Sequence, residues 1–293
     1  MTETRKIENQ KNWNLETLED GRMVLNMGPS HPAMHGIVRV LLTVRGERVT
    51  DSEVEIGYLH RGFEKTCENV TYNQCVPYTD RLNYVSPFIN NVGYALAVEK
   101  LMGIEAPVRC RYIRVIMSEL SRLTDHLTCI GANAMELAAF TVYFYLINAR
   151  EELYRLTDAV AGGRVTPAYT RVGGLTRDLP PDFRSMTAGV FKIVRKNISD
   201  ADKLLTRNRI FYDRLHNTGS ISKEDAVSLS FTGPALRSTG VPLDVRKATP
   251  YLVYDRFDFD IPVGSNGDNY DRYLVRMEEM KQSMRIVEQA LAQ

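Results

Sequence analysis

His31 and His35 stand four residues apart in Gly28-Pro29-Ser30-His31-Pro32-Ala33-Met34-His35-Gly36, a stretch bounded by glycines and stiffened by two prolines. Imidazoles titrate near neutrality and act as proton donors, proton acceptors or metal ligands. A spacing of four aligns two ligands on one face of a helix. Proline, however, fixes φ, removes a donor and pushes the preceding residue out of the helical region. His31, which precedes Pro32, therefore belongs to a stiff extended or turned loop, and no nearby carboxylate offers a third metal ligand. Three readings of the loop remain, metal binding having the least support: a pair of metal ligands, histidines that hydrogen-bond the fold together, or imidazoles that handle a proton or a ligand.

Other residues carry weaker signals. Glu136 lies in Ala134-Met135-Glu136-Leu137-Ala138-Ala139-Phe140, where its sequence neighbours are apolar. Burial there without a partner would raise its pKa, whereas an outward-facing carboxylate would be ordinary. Gly57 to Lys65 is a charged, glycine-punctuated junction that reads as an exposed turn with an ion pair of small energetic weight. Asp80-Arg81-Leu82-Asn83-Tyr84 is a polar knot that reads as a helix start. The chain has no GxGxxG, P-loop, nucleophile elbow or HExxH, and Gly162-Gly163 and Gly173-Gly174 are too sparse to cradle phosphate. Cys67, Cys75, Cys110 and Cys129 lack CxxC spacing and, with no signal-peptide pattern at the N-terminus, read as reduced thiols. A net charge of +1 without a dense basic stripe argues against a nucleic-acid partner.

The elements that must position these residues change period along the chain. Residues 1–20 are polar, contain the single tryptophan Trp13 and read as a loosely held arm. Val38, Val40, Leu42 and Val44 alternate with Arg39, Thr43 and Arg45; after a turn at Gly46, Val54 and Ile56 alternate with Glu53 and Glu55. This two-residue period predicts a small antiparallel sheet over 22–57, within a β-region of 21–62 that bears the histidine loop.

From residue 63 to 293 a helical bundle is predicted. Phe88, Val92, Leu96 and Val98 to Leu101 mark one helix, and Val108, Tyr112, Val115, Glu119/Leu120, Leu123, Leu127 and Ile130 a long second one. A third covers 136–160 and closes at Gly162-Gly163; a fourth follows Pro180-Pro181 and carries Phe183, Val190, Val194 and Leu205. Residues 207–266 read as irregular, and a last helix starts near Asp268. The apolar run Leu127 to Ile147, interrupted by Asn133 and Glu136, is expected as a buried core helix and not a membrane span. The fold class is α+β: a small N-terminal antiparallel sheet followed by a mainly helical bundle.

Taken in order, GPSHPAMHG, GYLHRGFEK, DRLNY, ALAVEKL, YIRVIMSELSRL, RVGG, GPALRSTGV and DVRK resemble the 49 kDa-type, or D-type, subunit of NADH–quinone oxidoreductase, respiratory complex I. The resemblance runs from about Met23 onward and implies a fold like that of the [NiFe]-hydrogenase large subunit, of which RGFE and ALAVEK look like remnants. A hydrogenase would carry CxxC before the ALAVEK-type helix; here Arg81-Leu82-Asn83-Tyr84-Val85 stands there, with no thiolate to hold nickel and iron. The resemblance therefore implies no metal of its own and a quinone head-group site, for ubiquinone or menaquinone.

In that family the positions matching His35 and Tyr84 hydrogen-bond the two ends of the head group, and Val85 and Ser86 adjoin Tyr84. The position matching Glu136, usually an aspartate, orients or reprotonates the histidine, and His31 matches a second loop histidine. Arg81 and Arg171 match arginines beside a terminal [4Fe–4S] cluster held by a partner, where positive charge favours the reduced cluster. A histidine that often precedes the YxR element is replaced here by Thr166-Pro167-Ala168. This substitution implies a cluster potential that varies weakly with pH.

The implied partners are the B-type [4Fe–4S] subunit, the C-type subunit and the H-type membrane subunit, with NADH bound elsewhere. The implied location is peripheral, on the cytoplasmic side of the bacterial inner membrane. Members of the family continue past the last helix into a segment that forms part of the cavity wall, so the site is expected to need more than these residues. A hydrogenase-like enzyme, a quinone or phenazine reductase arm fed by ferredoxin or deazaflavin, and a scaffold whose histidine loop only docks are the alternatives.

Overall fold

The computed structural model describes residues 15–17 and 21–293, which divide into two compact units, one extending to Thr66 and the other starting at Cys67. The N-terminal unit is a four-stranded antiparallel meander of β1 (Leu15–Thr17), β2 (Met23–Met27), β3 (Arg39–Arg45) and β4 (Arg48–Glu55), in that spatial order. Most of the expected N-terminal arm lies outside the described residues. Its Leu15–Thr17 portion is not loose, however: it pairs with β2, Leu15 opposite Leu25 and Thr17 opposite Met23. Gly46 and Glu47 form the two-residue link between β3 and β4, with Gly46 at φ +62°, the left-handed geometry that such hairpins require.

The histidine loop leaves from the end of β2 and returns at the start of β3, and the Met27–Val40 pair closes it. Gly28 at its base has φ +122°, and a Cβ there would lie 2.1 Å from the Val38 carbonyl oxygen. Only glycine fits. Across the loop base, Arg39 bonds Glu55 at 3.0 Å and Asn26 Oδ1 at 3.1 Å, which ties β2, β3 and β4 together.

The second unit is helical. Beyond α1 (Phe63–Glu68), which crosses the boundary, it contains α2 (Tyr72–Thr79), α3 (Pro87–Met102), α4 (Val108–Glu136), α5 (Phe140–Ala161), the short hairpin β5 (Thr170–Arg171) and β6 (Gly174–Leu175), and α6 (Phe183–Leu205). There follow α7 (Arg209–Leu215), α8 (Lys223–Ser228), α9 (Gly233–Arg237), α10 (Val245–Ala248) and the closing α11 (Asn269–Ala292). The stretch expected to be irregular thus holds four short helices, each too brief to show a helical period. The two helices before the predicted first one escape the pattern for the same reason, although Thr71 and Gln74 carry a start signal: Gln74 Oε1 accepts the Thr71 N–H at 2.9 Å.

The core is built around α4, about 43 Å long at 1.5 Å per residue, which packs on α3, α5 and α11. Leu120, Leu123 and Leu127 on α4 meet Leu146, Leu153 and Leu156 on α5 and Met280, Ile286 and Val287 on α11, all fully buried. Each such side chain contributes about 1.5–3 kcal/mol through burial.

The apolar run 127–147 is not one helix. The chain leaves α4 in a Schellman turn: Ala139 N–H bonds Ala134 O at 2.8 Å, Ala138 N–H bonds Met135 O at 2.9 Å, and Ala138 sits at φ +69°. Alanine occupies the place where glycine normally signals the stop, which is why the residue pattern extends the third helix back to residue 136. Among the described residues no helix is long and apolar enough to cross a membrane.

Candidate functional site

His31 and His35 lie in the N-terminal unit and behave differently. The loop turns on itself, with Met34 N–H bonded to His31 O at 3.0 Å and Gly36 N–H to Met34 O at 3.0 Å. The His31 ring is drawn into that turn, its Nδ1 accepting the Ala33 N–H at 3.1 Å. With Nδ1 an acceptor, the neutral ring carries its proton on Nε2. His35 is exposed at the loop's outer end.

Tyr84, Val85 and Ser86 form the link from α2 to α3 in the helical unit. Asn83 donates to Ser86 Oγ at 2.7 Å, Ser86 caps α3, and Thr124 of α4 donates its hydroxyl to Val85 O at 2.9 Å. The backbone beneath Tyr84 is therefore pinned on both sides while the phenol is exposed, 59 % accessible. That combination, a fixed backbone and a presented hydroxyl, is what hydrogen-bonding a docked ligand needs.

Asp80 is not the mere helix start that the sequence suggests. Its side chain is wholly buried; Oδ1 accepts from Asn91 at 2.8 Å and Oδ2 from the Ala168 N–H at 2.9 Å. Arg81 Nη1 lies 3.7 Å from the same carboxylate, and Arg171 is near enough to act on it electrostatically. Burial raises the Asp80 pKa, with the two hydrogen bonds and the two guanidinium groups pulling the other way. Arg81 and Arg171, ninety residues apart in sequence, therefore share one buried anion.

Glu136 is at the opposite end of this arrangement. It is exposed on the last turn of α4, the outward-facing one of the two arrangements that the sequence leaves open. Helix rise separates it from Thr124, the partner of Val85, by about 18 Å along α4. It borders a cavity of ≈ 330 Å³ that Cys129, Asn133, Phe211, Arg272 and Arg276 also line. Arg272 Nε is buried there without a partner, and burial, with Arg276 beside it, lowers the Arg272 pKa. No local signal points to these two arginines, because they are separated from Glu136 by well over a hundred residues.

The largest polar assembly has no counterpart among the sequence expectations. Glu119, fully buried on α4, accepts from Arg246 Nη1 at 3.0 Å, the Tyr254 hydroxyl at 2.6 Å and the Ser283 hydroxyl at 2.7 Å. Burial alone would raise its pKa; Arg246 and Arg122 reverse this and hold it at about 2. Asp244 flanks Arg246 at 2.6 Å and is likewise held at about 2, burial again being outweighed by Arg246. One turn from Ser283, Glu279 bonds His126 Nε2 at 2.8 Å and Arg237 Nε at 2.7 Å. Burial lowers the His126 pKa, with Glu279 opposing.

Spacing alone puts Glu119 on the apolar face of the long helix, and that is the available signal: a carboxylate at a core position must have a buried cation. The strings GPALRSTGV and DVRK supply Arg237 and Arg246 to this framework, so those strings build the fold and not the exposed site.

No cysteine among the described residues forms a disulfide, and no three His, Cys, Asp or Glu side chains there gather in a metal-holding group.

Residues 136–293 match a family described as respiratory-chain NADH dehydrogenase, 49 Kd subunit. The chain is similar to the D 1 subunit of the NADH-quinone oxidoreductase of Sorangium cellulosum, 56 % identical over 271 residues, which are 92 % of this chain and 67 % of that protein. It is also similar to the D subunit of the Myxococcus xanthus oxidoreductase, 55 % identical over 274 residues, 94 % of this chain and 66 % of the relative. The C/D subunit of the Bdellovibrio bacteriovorus oxidoreductase is 48 % identical over 274 residues, 94 % of this chain and 49 % of that protein. The chain spans about two thirds of the length of the D-type relatives.

Proposed function

Because the chain belongs to the respiratory-chain NADH dehydrogenase 49 kDa subunit family, we propose that it is a core subunit of a proton-translocating NADH–quinone oxidoreductase and forms part of its quinone-reduction site. The observation that carries this reading is Tyr84: a phenol held out to solvent on a backbone pinned to α3 and α4, one short turn from Arg81.

Reduction of a quinone to a quinol takes two electrons and two protons. In this proposal the Tyr84 hydroxyl and the His35 imidazole each hydrogen-bond one oxygen of the head group and donate a proton to it as charge develops. The phenol is the weaker acid and depends on rapid reprotonation. Val85 and Ser86 wall the head group beside Tyr84. Glu136, at the position where the family has its acidic residue, acts on the histidine, orienting or reprotonating it. Its side chain is one methylene longer than the aspartate usual in the family, which alters its reach. His31, whose Nδ1 is engaged by its own loop, stiffens the loop and presents Nε2 alone.

Electrons arrive from a [4Fe–4S] cluster on a B-type partner, NADH being oxidised elsewhere in the complex. Arg81 and Arg171 face that cluster and stabilise the extra negative charge of its reduced form. The C-type protein is a neighbour, as the fused name of the Bdellovibrio relative supports, and an H-type membrane protein forms the rest of the chamber. The chain is peripheral, on the cytoplasmic side of the inner membrane, and the quinone is ubiquinone or menaquinone.

The test is separate replacement of His35→Ala and Tyr84→Phe in the assembled complex. Each variant is expected to assemble with NADH oxidation by artificial acceptors intact and quinone reduction reduced by about 10²-fold or more, the usual contribution of a positioned proton donor. Full quinone reductase activity in both variants would sink the proposal in favour of a docking scaffold.

A further inference from the structure

We propose that Asp80 is a positioning residue that aims Arg171, and Arg81 with it, at one anionic group; the inference rests on the reading above, in which that group is the partner's thiolate-ligated iron–sulfur cluster. The mechanical link is Ala168. This residue sits at φ +44°, in the left-handed region that an alanine adopts only when its surroundings impose it. Its N–H is held by Asp80 Oδ2 at 2.9 Å, and its carbonyl oxygen accepts from Arg171 Nη1, which also donates to Thr170 O at 3.1 Å. The two peptide groups joined at the Ala168 Cα thus transmit the position of a buried carboxylate to a guanidinium group. The orientation of Asp80 is itself fixed by Asn91 on α3, whose amide also bonds Thr79 Oγ1 at 2.8 Å. Arg81 follows Asp80 directly, with Nη1 near Oδ2 and a hydrogen bond to Pro77 O.

The other side of Arg171 is clamped independently. Arg114, fully buried on α4, donates to Arg171 O at 2.9 Å and Gly174 O at 3.2 Å, and pairs with Glu99 at 2.6 Å. Glu99 accepts the Gly173 N–H at 2.7 Å. The backbone of the β5–β6 hairpin is therefore fixed by the Glu99–Arg114 pair, and the direction of the Arg171 side chain by Asp80 through Ala168. Asp80, Glu99 and Arg114 together hold the loop and hairpin that carry Arg171, the kind of rigid support that keeps a side chain in place beside a reacting centre.

The experiment is a redox titration of the terminal cluster, read by electron paramagnetic resonance, in the assembled oxidoreductase. It compares the parent with Asp80→Asn, Asp80→Glu, Arg171→Met, Arg81→Met, Ala168→Gly and the Asp80→Asn/Arg171→Met pair. Asp80→Asn is expected to shift the midpoint potential, and the shift to shrink strongly once Arg171 is methionine, since the two act as one unit. Asp80→Glu, which keeps the carboxylate, is expected to recover much of the parent value. A shift of equal size in both backgrounds, or none from Asp80→Asn where Arg171→Met does shift the potential, overturns the positioning role. If Arg171→Met and Arg81→Met both leave the potential unchanged, the cluster reading fails and the proposal falls with it. Ala168→Gly keeps every charge and frees the linking peptide, so it reports even where Asp80→Asn does not assemble: a shifted potential supports the role, and an unchanged one overturns it.

Discussion

Replacing Glu119 by glutamine tests whether the buried charge framework stabilises the helical unit. In the parent the carboxylate is fully buried against Arg246, Arg122, Tyr254 and Ser283, and its pKa falls from the ordinary 4.5 to about 2. A tenfold change in proton affinity is worth about 1.4 kcal/mol, so this fall corresponds to roughly 3 kcal/mol of stability at neutral pH. Glutamine would remove the charge and turn an amide NH₂ toward guanidinium donors. Breaking a buried pair costs about 3–5 kcal/mol, and the lower end applies because Asp244 still holds Arg246 at 2.6 Å.

The sign with pH follows from the direction of the shift. A carboxylate with a depressed folded pKa stabilises the fold above its unfolded value, and that stability is lost as pH falls through the window from 4.5 to about 2. Urea unfolding followed by far-ultraviolet circular dichroism, in parent and Glu119→Gln, should show a difference of about 3 kcal/mol at pH 7 that closes over this window. For a domain of this size the same loss lowers Tm by roughly 6–12 °C. A difference at neutral pH below about 1 kcal/mol would refute the reasoning, since desolvation would then cancel the ion pairs, and a difference that stays constant into acid would refute it by showing that the stability does not depend on ionisation of the carboxylate.

Three further outcomes are expected. His126, kept neutral by burial against the pull of Glu279, cannot follow the unfolded chain when that chain takes up a proton below 6.5; stability should therefore decline as pH drops from there, and His126→Gln, which still donates to Glu279, should flatten the decline in pH-dependent urea titrations. Gly28→Ala puts a methyl group 2.1 Å from the Val38 carbonyl; overpacking of about 1–3 kcal/mol should displace the histidine loop, and normal quinone reduction in an assembled Gly28→Ala complex would show that loop placement does not matter. With Thr166-Pro167-Ala168 where the family often has a histidine, the midpoint of the cluster proposed beside Arg171 should change little with pH near neutrality, and a clear pH-dependent shift in redox-titrated complex would contradict this.

The sequence by itself determined the class of the fold and the position of its long elements. Alternation over residues 38–56 specified the sheet, and the three-and-four spacing from Val108 to Ile130 specified α4, because those periods are set by backbone geometry and need no partner. Pro29 and Pro32 specified a non-helical histidine loop by the same local logic. What depended on tertiary structure was everything that spans distance. Ala138 ends a helix with no glycine to announce it, since the turn is stabilised by packing and by hydrogen bonds back to Ala134 and Met135. Glu119 looks apolar by position until Arg246, Tyr254 and Ser283 arrive from 127, 135 and 164 residues away. Asp80 looks like a helix start until the loop at Ala168, 88 residues on, folds onto it. A buried charge is tolerated only where opposite charge and hydrogen bonds meet it, and that meeting is a property of the fold, which no local pattern of residues records.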